Sequence, residues 1–344
     1  MGQVVKHDPS LKAGPAQPPM KHTRRNVLRL AAGLIALSAA TRATRAQAYP
    51  QRPVRIVVGF PAGGAADTIV RLMAQWLSDR LGQPCVVENR PGAATNLSVQ
   101  SALTSPSDGY SLVFIATSTA INATLYDTMP VNFLRDGSSV AGLVRLPHVI
   151  ASHPSLPART VPELIAYARA NAGQVNVASY GTGTTSHLAN ELFKSMADVP
   201  LVHVPYRGDA QAIPDLLSGR VQLYFATLTA TLPHIRSGAL RALAVLGRTR
   251  YEGLPAVPTV GEAVPGYEVD SFTGIGVRKG TPQEIIQRLN REVNAGLADA
   301  TLRARFHELA AVPFIVGSSE LDAHMAAAAQ KWAEVIRAAN IKPE

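Results

Sequence analysis

The chain has 344 residues, of which 47% are hydrophobic and 17% charged, with 33 Lys and Arg against 24 Asp and Glu and a single cysteine. Eight of the basic residues and one acid, Asp8, lie in residues 1–48, so the remainder carries 25 basic against 23 acidic residues, a net +2. That remainder has no basic stripe to follow a phosphate backbone, which excludes a nucleic-acid partner, and Cys85 alone cannot close an internal disulfide.

Thr23-Arg24-Arg25-Asn26-Val27-Leu28-Arg29 is a twin-arginine pattern, and an apolar run over residues 30–40 follows it. A bilayer span needs ~20 apolar residues, so this run is too short to anchor the chain. Ala46-Gln47-Ala48 then supplies a small-x-small end. Together these predict a cleavable export signal, cut near Ala48, and a periplasmic mature protein. Arg42 and Arg45 before the cut suit twin-arginine export. The competing reading is an amphipathic N-terminal helix. Residues before Lys21 read as linker, or as sequence upstream of a start at Met20.

Beyond the signal, strand and helix patterns alternate. Residues 54–58 are apolar but for Arg55 and read as a strand buried on both faces. Ile69, Leu72, Met73, Trp76 and Leu77 stand at helical spacing over 67–81, with Gly82 as a stop. Strands are predicted at 85–88, 110–116, 140–150, 175–179, 201–204, 221–225, 240–245 and 313–316, with helices between them. Thr160-Val161-Pro162-Glu163 and Thr281-Pro282-Gln283-Glu284 both fit a capping box with Pro in the first turn. This alternation predicts an α/β protein with parallel sheets covered on both faces.

In such sheets ligands sit where strands lead into helices. The loop Phe60-Pro61-Ala62-Gly63-Gly64-Ala65-Ala66-Asp67 leaves the first strand. Its paired glycines admit close backbone approach, and the helix behind it favours an anion. Read more plainly, it is a turn with Asp67 as an N-cap. Tyr180-Gly181-Thr182-Gly183-Thr184-Thr185-Ser186-His187 is a second such loop, and Thr117-Ser118-Thr119 a third. A dinucleotide fingerprint would need glycine at Ser186. Ser186 and His187 are sequence neighbours and point ~100° apart on a helix, so they make a poor hydrolase pair. The histidines show no metal-ligand spacing, no nucleophile elbow is present and no Walker A loop occurs; no metal or cofactor is expected.

Tyr49-Pro50, Phe60-Pro61-Ala62-Gly63-Gly64, Leu81-Gly82-Gln83-Pro84 and Val87-Glu88-Asn89-Arg90-Pro91-Gly92 resemble the start of the Bug family, the periplasmic receptors of tripartite tricarboxylate transporters. The likeness continues through Ser107-Asp108-Gly109-Tyr110, Gly181-Thr182-Gly183 and His203-Val204-Pro205-Tyr206-Arg207-Gly208 to Lys331-Trp332. The resemblance implies a type II periplasmic-binding fold: two α/β lobes, residues 49–150 with 273–344 and residues 151–272, with the ligand between them. It implies a monomeric, non-enzymatic receptor that passes a di-, tri- or aromatic carboxylate to integral-membrane permease subunits. Carried over, Phe60, Ala62, Gly63, Gly64, Ala65 and Asp67 form one wall of the cleft. Thr182, Gly183 and Thr184 face them with Ser118 alongside, and His187 and Thr227 complete the expected contacts. Three positions depart from the family: Ala62 replaces a proline, Ala120 a histidine, and Ala226 an acid that would receive a ligand ammonium group. The last departure disfavours amino-acid ligands. A receptor feeding a sensor kinase, or a periplasmic hydrolase, are the alternative readings.

Overall fold

Branched aliphatic residues occupy four of the five positions in β1 (Val54–Val58), and all four are buried. The fifth, Arg55, pairs with Glu88 at 3.0 Å on the adjacent strand. The computed structural model describes residues 1–2, 49–126, 129–338 and 340–342. The chain divides into units 1–48 and 49–344, and the predicted signal lies outside the described residues apart from Met1 and Gly2.

Residues 49–344 build two sheets. The first contains β1, β2 (Cys85–Asn89), β3 (Ser111–Ala116), β4 (Gly137–Arg145), β10 (Phe272–Arg278) and β11 (Val312–Pro313), in the order β11-β4-β10-β3-β1-β2. The second contains β5 (His148–Ser152), β6 (Asn176–Ser179), β7 (Val202–Pro205), β8 (Leu223–Thr227) and β9 (Arg241–Val245), in the order β7-β6-β8-β5-β9. The sheets are mixed and not purely parallel. β1 is parallel to β2 and β3, and β6 to β7 and β8, whereas β10 is antiparallel to β3 and β4, and β5 to β8 and β9. Strand–helix alternation reports parallel crossovers within a sheet, but the antiparallel strands lie where the chain passes between sheets.

That passage also divides the strand predicted over 140–150. It reads as one strand, yet Leu146-Pro147 interrupts it, and β4 and β5 join different sheets. A lobe boundary at residue 150 therefore falls inside β5, which pairs wholly with the second sheet. β10, at the centre of the first sheet, was not anticipated, because Gly274 and Gly276 weaken its strand signal. Close packing demands both glycines. A Cβ on Gly274 would lie 2.6 Å from the Leu321 side chain and 2.8 Å from the Ala141 carbonyl, and one on Gly276 would overlap the Phe133 ring.

The helices start and stop by local chemistry. α1 (Ala65–Leu81) buries Ile69, Val70, Met73 and Leu77 and ends at Gly82, whose φ of 70° is left-handed. It is followed by α2 (Asn96–Leu103), α3 (Thr117–Leu125), α4 (Phe133–Asp136) and α5 (Val161–Ala170), the last capped by Thr160. The remainder are α6 (Thr185–Ala197), α7 (Asp209–Leu217), α8 (Leu228–Arg236), α9 (Gln283–Ala298), α10 (Ala300–Glu308) and α11 (Ser318–Ala338). The second predicted capping box does not form: Thr281 donates its hydroxyl to the Arg278 carbonyl, and α9 begins after Pro282.

α11 belongs to neither sheet alone. Leu321 and Met325 pack with Val113, Ile115 and Phe272 of the first sheet. Trp332, 1% exposed, and Ile336 join the core containing Phe193, Phe225 and Tyr267. The end of this helix, expected with the first lobe in 273–344, thus packs in the core beneath the second sheet. Among the described residues, no helix is long and apolar enough to cross a membrane.

The packing at Gly274 yields a stability prediction. Gly274→Val should destabilise the protein by at least about 2 kcal/mol through overpacking against backbone that cannot yield. Urea titration checks this, and an unchanged midpoint would show that the sheet rearranges freely.

Candidate binding cleft

Both sheets send the carboxyl ends of strands into the same recess, a narrow cleft with a cavity volume of about 40 Å³. Residues from the caps or first turns of five helices line it: Ala65 of α1, Ser118 of α3, Thr185 of α6, Asp209 of α7 and Thr227 before α8. The first backbone N–H groups of a helix have no partner within it and carry partial positive charge. The lining contains no Lys, Arg or His.

The floor is aromatic. Phe60 meets Phe114 edge-on at 6.2 Å and Tyr180 at the same distance, which carries an aromatic surface from the first sheet to the second. The Tyr180 hydroxyl lies 3.0 Å from His148 Nε2, and Thr185 and the Ser186 N–H also bond to its oxygen. His148 Nδ1 lies 2.8 Å from the Leu146 carbonyl. Tyr180 therefore presents its ring to the cleft while its polar end is fully engaged behind it.

Of the residues predicted to contact ligand, Phe60, Gly64, Ala65, Ser118 and Thr227 line the cleft. Ser118 Oγ is buried without a hydrogen-bond partner, a group that a ligand can satisfy. The Thr227 hydroxyl accepts from Ala230 N–H at 3.4 Å and caps α8. Seven predicted contacts lie elsewhere. Ala62 and Gly63 are exposed on the loop. Asp67 is neither N-cap nor cleft residue: the cap is Gly64, and Asp67 sits in the first turn, 3% exposed. Its carboxylate accepts from Gly63 N–H, Arg71 Nε and Asn89 Nδ2, each at 2.9 Å. Burial raises its pKa, but these hydrogen bonds outweigh it and hold the carboxyl below its ordinary range. Asp67 fixes the loop.

The Thr182–Thr184 turn is likewise occupied with itself. Thr184 Oγ1 donates to the Gly181 carbonyl at 2.6 Å and caps α6, and Gly183 packs toward Leu125, Asn122 and Ala94. Thr182 Oγ1 is buried and unpartnered, outside the cleft lining. His187 lies behind the loop, stacked on His203 at 4.1 Å, with Nδ1 accepting from Gly183 N–H at 3.2 Å. Ser186 is fully buried and donates its hydroxyl to the Phe225 carbonyl. Sequence reasoning missed Tyr180, Ser271 and Asp209. Asp209 had a readable signal, since Val202–Pro205 followed by Gly208-Asp209 is another strand-to-helix turn with glycine at the bend.

The family described as tripartite tricarboxylate transporter family receptor matches residues 69–341. The chain belongs to this family. The receptor is 35% identical over 300 residues to the protein BugT of Bordetella pertussis, covering 86% of this chain and 92% of that one. It is similar to R. palustris Rpa4515 with adipate, with a TM-score of 0.82 and 35% identity over 86% of this chain and all of that one. It also resembles the periplasmic binding protein BugD, with a TM-score of 0.79 and 31% identity over 86% of this chain and 100% of the other. MatC of Rhodopseudomonas palustris, with bound malate, gives a TM-score of 0.79 and 27% identity over 84% of the receptor and 100% of MatC. The type II binding-protein architecture and the Bug-type identity inferred from sequence are thereby established.

The two histidines behind the cleft predict a stability that falls in acid. Burial pushes His148 down to about 4, against the opposing pull of the Leu146 carbonyl. Burial, and then the charge of Lys194, does the same for His187, also to about 4. Both are neutral when folded and take up protons on unfolding, so their stabilisation is complete above pH ~6.5 and is lost as pH falls toward 4. Each shift corresponds to roughly 3 kcal/mol. The melting temperature should hold steady above pH 7 and fall between pH 6.5 and 4, with a shallower fall in His148→Asn. Equal slopes in the two proteins would remove His148 from this role.

Proposed function

We propose that this receptor is exported to the periplasm, where it captures a small carboxylate in the cleft and presents it to the integral-membrane permease subunits of a tripartite tricarboxylate-type transporter. The observation that carries this reading is the convergence of five helix starts on a recess that holds no cation. A helix terminus contributes about 0.3–1 kcal/mol to anion binding, and ~2 when partly buried. Two such termini and several hydrogen bonds at roughly 1 kcal/mol each are of the order needed for micromolar affinity, which is about 8 kcal/mol. Backbone dipoles bind an anion without the ion pair that would resist its release, and a transport receptor needs both capture and release. The adipate and malate held by the similar Rpa4515 and MatC support the ligand class.

In this reading Gly64, Ala65, Ser118 and Thr227 touch the ligand, over the Phe60–Tyr180 floor. Gly183, Thr184, His187 and Asp67 hold the two loops in shape. Lobe one centres on the six-stranded sheet and lobe two on the five-stranded sheet.

A thermal-shift screen against mono-, di-, tri- and aromatic carboxylates and amino acids tests the proposal. Ligand at 100 times Kd should stabilise the protein by about 2.7 kcal/mol. No shift with any of them, for protein shown by mass spectrometry to be ligand-free, would sink it.

Gly64→Val offers a more local test. Gly64 has φ −81° and a built Cβ would meet only the Pro61 carbonyl, at 3.6 Å, so valine fits the backbone without strain and intrudes on the cleft wall. Affinity for the identified ligand should fall roughly tenfold or more while the ligand-free melting temperature is nearly unchanged. Calorimetry giving wild-type affinity would move the site off this loop.

A further inference from the structure

The cleft is built for an anion by its backbone, yet its single charged side chain is itself an anion. Asp209, the first residue of α7, lines the recess together with Ala65 and Ser118. Its Oδ1 accepts from the Tyr224 hydroxyl at 2.6 Å, and the Ala65 N–H at the start of α1 also bonds to the carboxylate. No ion pair reaches it among the described residues. Tyr224 is fully buried and its phenol is pushed well above its ordinary pKa by burial and then by the Asp209 charge, so it stays protonated and remains a fixed donor. The hydroxyl thus holds one carboxylate oxygen in place and leaves accepting capacity on the other.

Such a group discriminates among carboxylates. A ligand bearing only negative charge would bring it against Asp209 in a recess without a cation, where burial already works against the ionised carboxyl. A ligand bearing an ammonium group would neutralise Asp209 and leave its own carboxylate to the helix starts. The absence of an acid at position 226 does not oppose this. Ala226 is fully buried in β8, packed among Val149, Ala178 and Leu228, and does not line the cleft.

We propose that Asp209 is the specificity-determining residue of the cleft and selects carboxylates that also carry an ammonium group, an amino acid or a related zwitterion. This rests on the receptor reading above and narrows its ligand class. It reverses the preference drawn from Ala226 alone.

Matched pairs that differ only in the amino group separate the possibilities: succinate and aspartate, glutarate and glutamate, 3-phenylpropionate and phenylalanine. Each is titrated calorimetrically into the exported protein and into Asp209→Asn, after ligand-free melting temperatures show that both fold. Asp209→Ser serves if the Asn variant does not fold. The expected result is that the amino member of at least one pair binds wild type tenfold or more tighter than its partner, and that Asp209→Asn erases or reverses the ratio. Equal or tighter binding of the plain carboxylate in every pair that binds would overturn the proposal. So would a variant that shifts both members of a pair by the same factor, the result expected if Asp209 only competes with any carboxylate for the Ala65 N–H. Failure of every pair and of the wider carboxylate screen would remove the receptor reading itself, and this proposal with it.

Discussion

The organising constraint is that backbone N–H groups at the starts of five helices have no partners within their helices, and the fold brings those five starts to one recess. Such groups cost free energy when buried unsatisfied, so each start must find a partner or face the cleft. At α6 the partners are internal: Tyr180 takes the Ser186 N–H and Thr184 caps the turn. At α1 the cap is Gly64, which has no side chain to offer, and Asp67 reaches back to the Gly63 N–H. The Ala65 N–H finds Asp209, from the other sheet's set of helices. Whether a loop binds ligand or supports the wall thus depends on how far its own side chains have already satisfied it.

Positioning these helix starts requires two sheets held in a definite relation, and α11 does much of this work. Its first half packs on the six-stranded sheet through Leu321 and Met325, and its second half inserts Trp332 and Ile336 into the other core. Ile121 and Leu125 of α3 join that same core. Gly274 lets α11 approach β10 closely, since any side chain there would strike Leu321. The glycine that hid β10 in the sequence is the residue that brings this bridging helix onto the sheet.

Elements that carry their own signal could be read in advance. β1 occupies the five residues its apolar run marks, and α1 stops at the predicted glycine. What escaped depended on partners distant in sequence. Pairing direction is set by which sheet the chain has just left, so β5 and β10 gave no local hint of running antiparallel. The interruption at Leu146-Pro147 is a local feature, but its consequence, a change of sheet, is not. The cleft followed the same rule. Loop motifs located Gly64, Ala65 and Ser118, because glycine and hydroxyls at strand ends are a local pattern. They did not reveal that Thr184 and His187 satisfy their own loop, nor that Tyr180 offers its ring.

The same network explains how a cleft without a cation can keep its shape when empty. Asp67 ties Gly63, Arg71 and Asn89 together, and Asn89 also donates to the Phe60 carbonyl at 3.0 Å, so the first loop is anchored to both its helix and β2. Across the cleft, His148 fixes Tyr180, whose ring supports Phe60 edge-on. Loops held by their own hydrogen bonds lose little conformational freedom when ligand arrives, which lets modest dipolar contacts appear as net affinity. The dependence on His148 has a cost in acid: a protonated imidazole cannot accept the Tyr180 hydroxyl, so the aromatic floor and the stability of the second sheet weaken together. The cleft wall and the fold therefore draw on one buried hydrogen-bond chain, running from Leu146 through His148 to Tyr180.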